Sequence, residues 1–382
     1  MGRTWNMNRR SMPKIVCFLI LALVMVSCTD TSLTPVFYAL ENEKALVDDR
    51  GFPDDAGALR IVQNGPGGNY FAAAGILYSR DTTISGKWAS IAPPVSGALC
   101  TNVEIFNPGA GTQLLAAFML PSGPTGLGLW KRNLPYNSAD SWSQVSDGTL
   151  LTASSKINIL KTVGADLFVS TEDASYYNLY YTGDLSAFSS TNLTGTAVPR
   201  DSGPITDIES DGSGIFWVTV LKTLYTGGLG SLTPYTGVLV PTAATAFGSL
   251  HYSTALTALY LAGDNGRVFR RIGSGDWEQS AVINDSSGNA VSFTVFQDIP
   301  LPSNFIYVGT ELSGYYSISG GDIIGGTFTR SPSYTIGNLY DGAIISMLYD
   351  DSTSPKSLLL GTFNAGLWRG DWNGTTWDWK QE

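Results

Sequence analysis

A short apolar pair recurs seven times along the chain, and its spacing constrains the fold more tightly than anything else in the sequence. The copies are Leu77-Tyr78, Leu129-Trp130, Leu179-Tyr180, Leu224-Tyr225, Val268-Phe269, Tyr315-Tyr316 and Leu367-Trp368, at intervals of 44 to 52 residues. A period in that range is what four-stranded propeller blades require, so seven copies predict seven blades.

Each copy brings the rest of a blade with it. A strand-like run precedes every pair: NYFAAA, QLLAAFML, DLFVST, IFWVTV, ALYLAGD, FIYVGT and SLLLGT. Before these comes a third set, LRIVQ, TNVEIF, INILKT, ITDIES, SLHYST, FTVFQD and AIISMLYD, expected to be the innermost strands around the axis. After the pairs, an outer strand opens on a large aromatic at Trp88, Trp142, Phe188, Trp277, Phe328 and Trp377, while the fourth blade offers only SLTPYTGVL. Hairpin turns fall between the runs, as in NGPGGN, TGDLSAF, SDGSG, GDNGR and DWNGTT.

One four-stranded sheet cannot bury two apolar faces, whereas a ring of sheets buries each against its neighbour. Composition agrees: 43 glycines, 12% aromatic and 14% charged residues suit short strands and tight turns rather than helices. The predicted fold is therefore all-β, a seven-bladed β-propeller over residues 58–382. TTWDWKQE supplies the last blade with its own outer strand, so no N-terminal strand is required to close the ring.

Residues 1–27 read as an export signal. Arg3, Arg9, Arg10 and Lys14 precede an apolar run over 15–26, IVCFLILALVMV. As a helix it would span about 18 Å, short of the roughly 30 Å hydrocarbon core. The following MVSC resembles the lipobox of bacterial lipoproteins, in a loose form similar to spirochaetal ones, with Met25 in place of the usual Leu. The resemblance implies cleavage before Cys28, acylation of that cysteine, and a membrane partner held through the lipid. Residues 28–57 would then be tether and N-terminal segment, in which VFYALENEKAL fits either a short helix or an added strand. The expected address is the cell envelope, at the outer membrane or cell surface.

With Cys17 removed and Cys28 lipidated, Cys100 stands alone, and no disulfide is expected. Cleavage removes four cations and no acids, which moves the net charge from −10 to −14. Nucleic acid and anionic headgroups are thereby disfavoured as partners.

The hairpin RGDWNGTTW resembles the Asp-box of sialidase-like propellers, of the form Ser-x-Asp-x-Gly-x-Thr-Trp. Asp371, Gly374, Thr376 and Trp377 are its counterparts, the Asp standing one residue early, with Gly370 where Ser or Thr would stand. In that family the box is structural: the Asp caps the turn and the aromatic anchors the hairpin. A sialidase-like enzyme would also need three arginines converging on a substrate carboxylate, and other glycosidases need opposed carboxylates. Arg60, Arg80, Arg200 and Arg330, with Glu104, Asp207 and Asp298, are the available residues.

Neither His251, without evident zinc partners, nor Cys100, without an identifiable base, makes a catalytic centre. The Gly-rich stretches lack the features of phosphate or calcium loops, and no cofactor is expected. What remains is surface. Loops over 119–128, 170–178 and 330–342 are expected on one face, with Tyr176, Tyr177, Tyr334 and Tyr340 as candidate binding residues for a protein or glycan ligand. The expected role is non-catalytic binding or scaffolding, with an envelope-assembly subunit and a carbohydrate-active hydrolase as alternatives. Trp372 and Trp379, extra to the repeat, are the residual candidates for a sugar platform.

Overall fold

The computed structural model describes residues 50–382, apart from 55, 84–85, 110, 123–125, 192–197, 200–201, 238–245, 332–338 and 340–341. Cys28, Arg200, Tyr334 and Tyr340 lie outside the described residues.

Seven antiparallel sheets follow one another along the chain. Blade 1 comprises β1 (Arg60–Gln63), β2 (Tyr70–Ala74), β3 (Ile76–Arg80) and β4 (Ala89–Ile91). Blade 2 comprises β5 (Leu99–Phe106), β6 (Gln113–Met119), β7 (Gly126–Asn133) and β8 (Ser143–Val145). Blade 3 holds β9 (Lys156–Val163), β10 (Asp166–Glu172), β11 (Tyr176–Thr182) and β12 (Ser189–Ser190), with a short extra strand, β13 (Val198–Pro199), beside β11. Blade 4 is β14 (Ile205–Ser210), β15 (Phe216–Val220), β16 (Thr223–Gly227) and β17 (Thr233–Pro234). Blade 5 is β18 (Phe247–Ser253), β19 (Ala258–Gly263), β20 (Val268–Ile272) and β21 (Trp277–Gln279). Blade 6 is β22 (Phe293–Ile299), β23 (Phe305–Thr310), β24 (Tyr315–Ser319) and β25 (Phe328–Ser331). Blade 7 is β26 (Ile344–Asp350), β27 (Ser357–Thr362), β28 (Leu367–Trp372) and β29 (Trp377–Gln381). This is a seven-bladed propeller, and all three predicted strand sets occupy the predicted ranks.

The second strand of each blade is apolar on both sides because it lies between two neighbouring sheets. In β15, β19 and β27 every residue is buried. Such strands read as continuous apolar runs instead of alternating ones. The aromatic that opens the outer strand closes the far end of this core: Trp88, Phe188, Trp277 and Trp377 are buried, while Trp142 and Phe328 are partly buried. In the fourth blade Leu232, fully buried just before β17, takes that place.

The innermost strands carry a feature the apolar pattern does not reveal. In six blades the pairing between first and second strands slips by a residue or more, five times near the start of the inner strand, at Cys100/Asn102, Ile205/Asp207, Phe247/Leu250, Phe293/Phe296 and Ile344/Ser346. A bulge re-aims its side chain, and here polar side chains beside the bulges reach an adjacent blade or its lead-in. Asn102 Nδ2 donates to Asn158 O at 3.5 Å, Ser249 Oγ to Asp207 Oδ2 at 2.8 Å, Ser346 Oγ to Ala58 O at 2.8 Å, and Thr294 Oγ1 to Ile344 O. The early polar residue in TNVEIF, ITDIES, SLHYST and FTVFQD is the sequence signal for this belt.

Ring closure needs no strand exchange, since β26 to β29 are contiguous in the chain. Residues 50–54 and 56–58 pack into the seam between blades 7 and 1. Ala58 N donates to Thr362 O at 3.0 Å, and Phe52 packs on Tyr78 and Trp88 with ring centroids 5.0 and 5.4 Å away. The seam also buries charge. Glu382 accepts from Arg80 Nη1 and from Trp88 Nε1 at 2.8 Å, with Arg50 Nε 3.7 Å from its other oxygen. Nearby, Asp350 accepts from Tyr70 and from Gln63 at 2.8 Å.

Candidate axial site

The inner strands enclose a cavity of about 440 Å³ along the axis, lined by residues from all seven blades, among them Arg60, Glu104, Lys161, Asp207, Glu209 and His251. Alternation along β1, β5, β9, β14 and β18 turns these polar side chains inward, and the ring brings together residues far apart in sequence.

Asp207 is the hub. It is only 8% exposed, and it accepts from Lys161 Nζ, Ser249 Oγ and the amides of Ile208 and Leu250, each at 2.8 Å. One carboxylate thus ties blades 3, 4 and 5. Lys161 also lies 3.3 Å from Glu209, whose other oxygen accepts from Ser210 N at 3.0 Å. Burial works against the Lys161 charge, yet Asp207 and Glu209 outweigh it and hold the ammonium pKa above its ordinary value. Across the cavity, Arg60 Nη2 meets Glu104 at 2.7 Å, and Glu104 also accepts from Ile105 N at 3.1 Å. Here too burial opposes the charge and the carboxylate prevails, so the Arg60 pKa is raised. His251 stacks on Phe296, its Nε2 3.3 Å from Asp298.

The axis therefore holds a ring in which each lining carboxylate already binds a cation and a backbone amide, Lys161 serving both Asp207 and Glu209. The candidate arginines do not gather. Arg60 lines the cavity, Arg80 is buried in the closing seam, and Arg330 lies on β25 with its Nε on Ser313 O at 3.1 Å. Among the described residues no group of three or more His, Cys, Asp and Glu side chains is arranged to hold a metal.

Cys100 sits at the seam of blades 1 and 2, where its amide donates to Gly75 O at 2.7 Å. Burial pushes its thiol up to about 12, outweighing a contact with Asn102 O. A thiol reagent at about pH 8 is expected to leave Cys100 unmodified in the folded protein and to modify it in denaturant, as read by peptide mass mapping. Rapid labelling of the folded protein would show that this seam opens.

The loop expected over 170–178 is instead a three-residue turn. Asp173 Oδ1 accepts from Ser175 N and Tyr176 N, both at 2.8 Å, and this side-chain turn lets β10 and β11 extend toward each other. Tyr176 and Tyr177 consequently belong to β11, paired with Pro199 and Val198 of β13. Tyr176 is 44% exposed, whereas Tyr177 packs against the core shared by blades 3 and 4.

In the last hairpin the turn amides go to Asn373, whose Oδ1 accepts from Thr375 N at 3.0 Å and Thr376 N at 2.9 Å. Asp371 lies within β28 and binds Arg369 Nε at 2.8 Å. Gly374 takes φ +100°, a left-handed value that favours glycine, and Thr376 Oγ1 lies 3.3 Å from Asn373 Nδ2. Trp377 is buried and donates to Tyr307 OH of blade 6 at 3.0 Å. Trp379 is buried too, and Trp372 packs edge-on against Trp377, so the sugar platform reduces to one half-buried ring.

Known structures share this architecture at low identity. YCF48 from Cyanidioschyzon merolae aligns over 83% of this chain and 96% of its own, at 11% identity and a TM-score of 0.56. A structure of YCF48 bound to D1 peptide aligns over 83% and 92%, at 15% identity and 0.57. PorZ, a surface component of the type-IX secretion system of Porphyromonas gingivalis, aligns over 87% of this chain and 39% of its own, at 13% identity and 0.55. Likeness at these identities establishes the propeller fold. No family model and no curated protein matches the chain by sequence.

Proposed function

We propose that the protein is a lipid-anchored, non-catalytic propeller that binds or scaffolds other proteins in the cell envelope. The observation that carries the reading is the saturation of Asp207, which takes Lys161, Ser249 and two backbone amides and so keeps no lone pair poised as a general base. Support comes also from the propellers it resembles, one solved with a peptide and one a component of a secretion system. The envelope-assembly role is the more specific form of the same reading. The competing glycosidase reading is tested directly by assaying the purified protein on sialosides and aryl glycosides. Hydrolysis that Arg60→Ala or Asp207→Asn abolishes would overturn the non-catalytic assignment.

The anchor rests on MVSC and has its own test. Cys28→Ser is expected to abolish metabolic labelling by palmitate and to release the protein from membranes; labelling that persists would refute the lipoprotein assignment.

A further inference from the structure

Three arginines occupy one position of the repeat. Arg80, Arg132 and Arg271 each stand three residues after the first member of the recurring apolar pair, on the third strands of blades 1, 2 and 5. Arg271 pairs across its sheet with Trp277, and the registers Ser79–Ala89 and Lys131–Ser143 set Trp88 and Trp142 opposite Arg80 and Arg132. Each arginine thus stands beside the tryptophan that opens the outer strand.

Two of the three have a carboxylate from the preceding blade. Arg80 takes Glu382, which follows the last strand of blade 7, and Arg271 lies 3.8 Å from Asp211, which follows β14 of blade 4. Blade 1 offers no such acid to blade 2. Its residue corresponding to Asp211 is Asn64: both follow an inner strand and donate their amides across the first hairpin, Asn64 to Asn69 O and Asp211 to Ile215 O, each at 3.0 Å.

Arg132 is nonetheless only 8% exposed. Its Cζ lies 4.8 Å from the ring centroid of Trp142 and 5.7 Å from that of Tyr136, so the two rings offset part of the cost of burying the charge. Nε is buried without an acceptor, and among the described residues the guanidinium makes no hydrogen bond or ion pair. A guanidinium has five N–H donors, and leaving them uncompensated in a protein interior is unfavourable. The walls of the clamp are fixed from elsewhere. Trp142 Nε1 donates to Ala92 O at 2.8 Å, and Tyr136 meets Phe71 edge-on at 6.2 Å. Local charge points the same way: residues 105–139 contain Lys131 and Arg132 and no acidic residue, in a chain of net charge −10.

We propose that Arg132, clamped by Trp142 and Tyr136, receives the carboxylate of an aspartate or glutamate side chain from a partner protein, as Arg80 and Arg271 receive carboxylates of this chain. A planar carboxylate can take two parallel N–H donors and leave the ring contacts intact. With so little of the guanidinium accessible, a small free acid would find few other contacts, whereas a protein side chain brings its surroundings with it. That the carrier is a protein rests on the protein-binding reading; the carboxylate site itself does not.

Arg132→Met is expected to leave the urea midpoint nearly unchanged because it strands no acid, whereas Arg80→Met strands Glu382 and lowers it. Equal losses would reveal a partner within the fold and overturn the site. In NMR spectra of the purified full chain, the Nε–Hε resonance of Arg132, assigned by its loss in Arg132→Met, is expected to shift saturably with sodium acetate and not with sodium chloride at equal ionic strength. The same response to both salts, or none to either, would overturn it as well. A random peptide library displayed on phage, selected on the wild-type protein, then tests the carrier. Enriched peptides are expected to depend on one acidic residue, and its change to the amide or Arg132→Met should each weaken binding about tenfold, without adding together. Peptides that need no acid, or whose dependence on it survives Arg132→Met, would count against the assignment. An acetate response with no peptide enriched would support the carboxylate site and refute the protein carrier.

Discussion

Glu382→Ala is expected to destabilise the propeller by about 3–5 kcal/mol, because it strands a buried guanidinium. The Arg80 side chain is fully inaccessible and that of Glu382 only 1% exposed, so solvent does not screen the pair. Burial lowers the Arg80 pKa, and Arg50 and Arg369 push it the same way, against Glu382 as the principal opposing charge. Without that carboxylate, three arginines share a dry seam, and Trp88 Nε1 loses its acceptor as well. Glu382→Gln, which keeps the shape and an acceptor oxygen, should lose less. Urea denaturation followed by tryptophan fluorescence measures both, and a loss below about 1 kcal/mol for the alanine variant would show that the seam does not depend on the ion pair.

Trp277→Ala is expected to cost a similar amount, about 3–5 kcal/mol. Trp277 is 1% exposed and meets Trp217 of the neighbouring blade edge-to-face at 5.4 Å, so its removal opens a cavity where blades 4 and 5 join. The equivalent residue one blade on, Phe328, is only partly buried, and Phe328→Ala should cost well under half as much. Equal losses at the two positions would show that the repeat position, and not burial at the blade interface, sets the energy.

Much of this fold was legible because its signals are local. The 44–52-residue period, the runs apolar on both faces and the aromatic opening the outer strand depend on residues within one blade. Leu232 shows where a type-based search for that aromatic fails: the position tolerates any apolar side chain that fills the volume. Turn chemistry was less legible. Asp173 shortened an expected loop to three residues, and Asn373, two residues beyond the matched Asp371, receives the amides of the last hairpin. A short polar side chain at either position satisfies a turn, so residue type alone does not say which one does.

The site was legible only in part. His251, Glu104 and Asp207 were visible as polar residues on inner strands, but their pairing was not. Sequence by itself determined the blade count, the strand order and the apolar core, because each blade is specified by contiguous residues. Tertiary structure alone decided that Lys161 meets Asp207, 46 residues away, and that Arg80 meets Glu382, 302 residues away. Such contacts exist only once seven sheets close into a ring, since closure, and not any local pattern, fixes which inward-facing charges become neighbours.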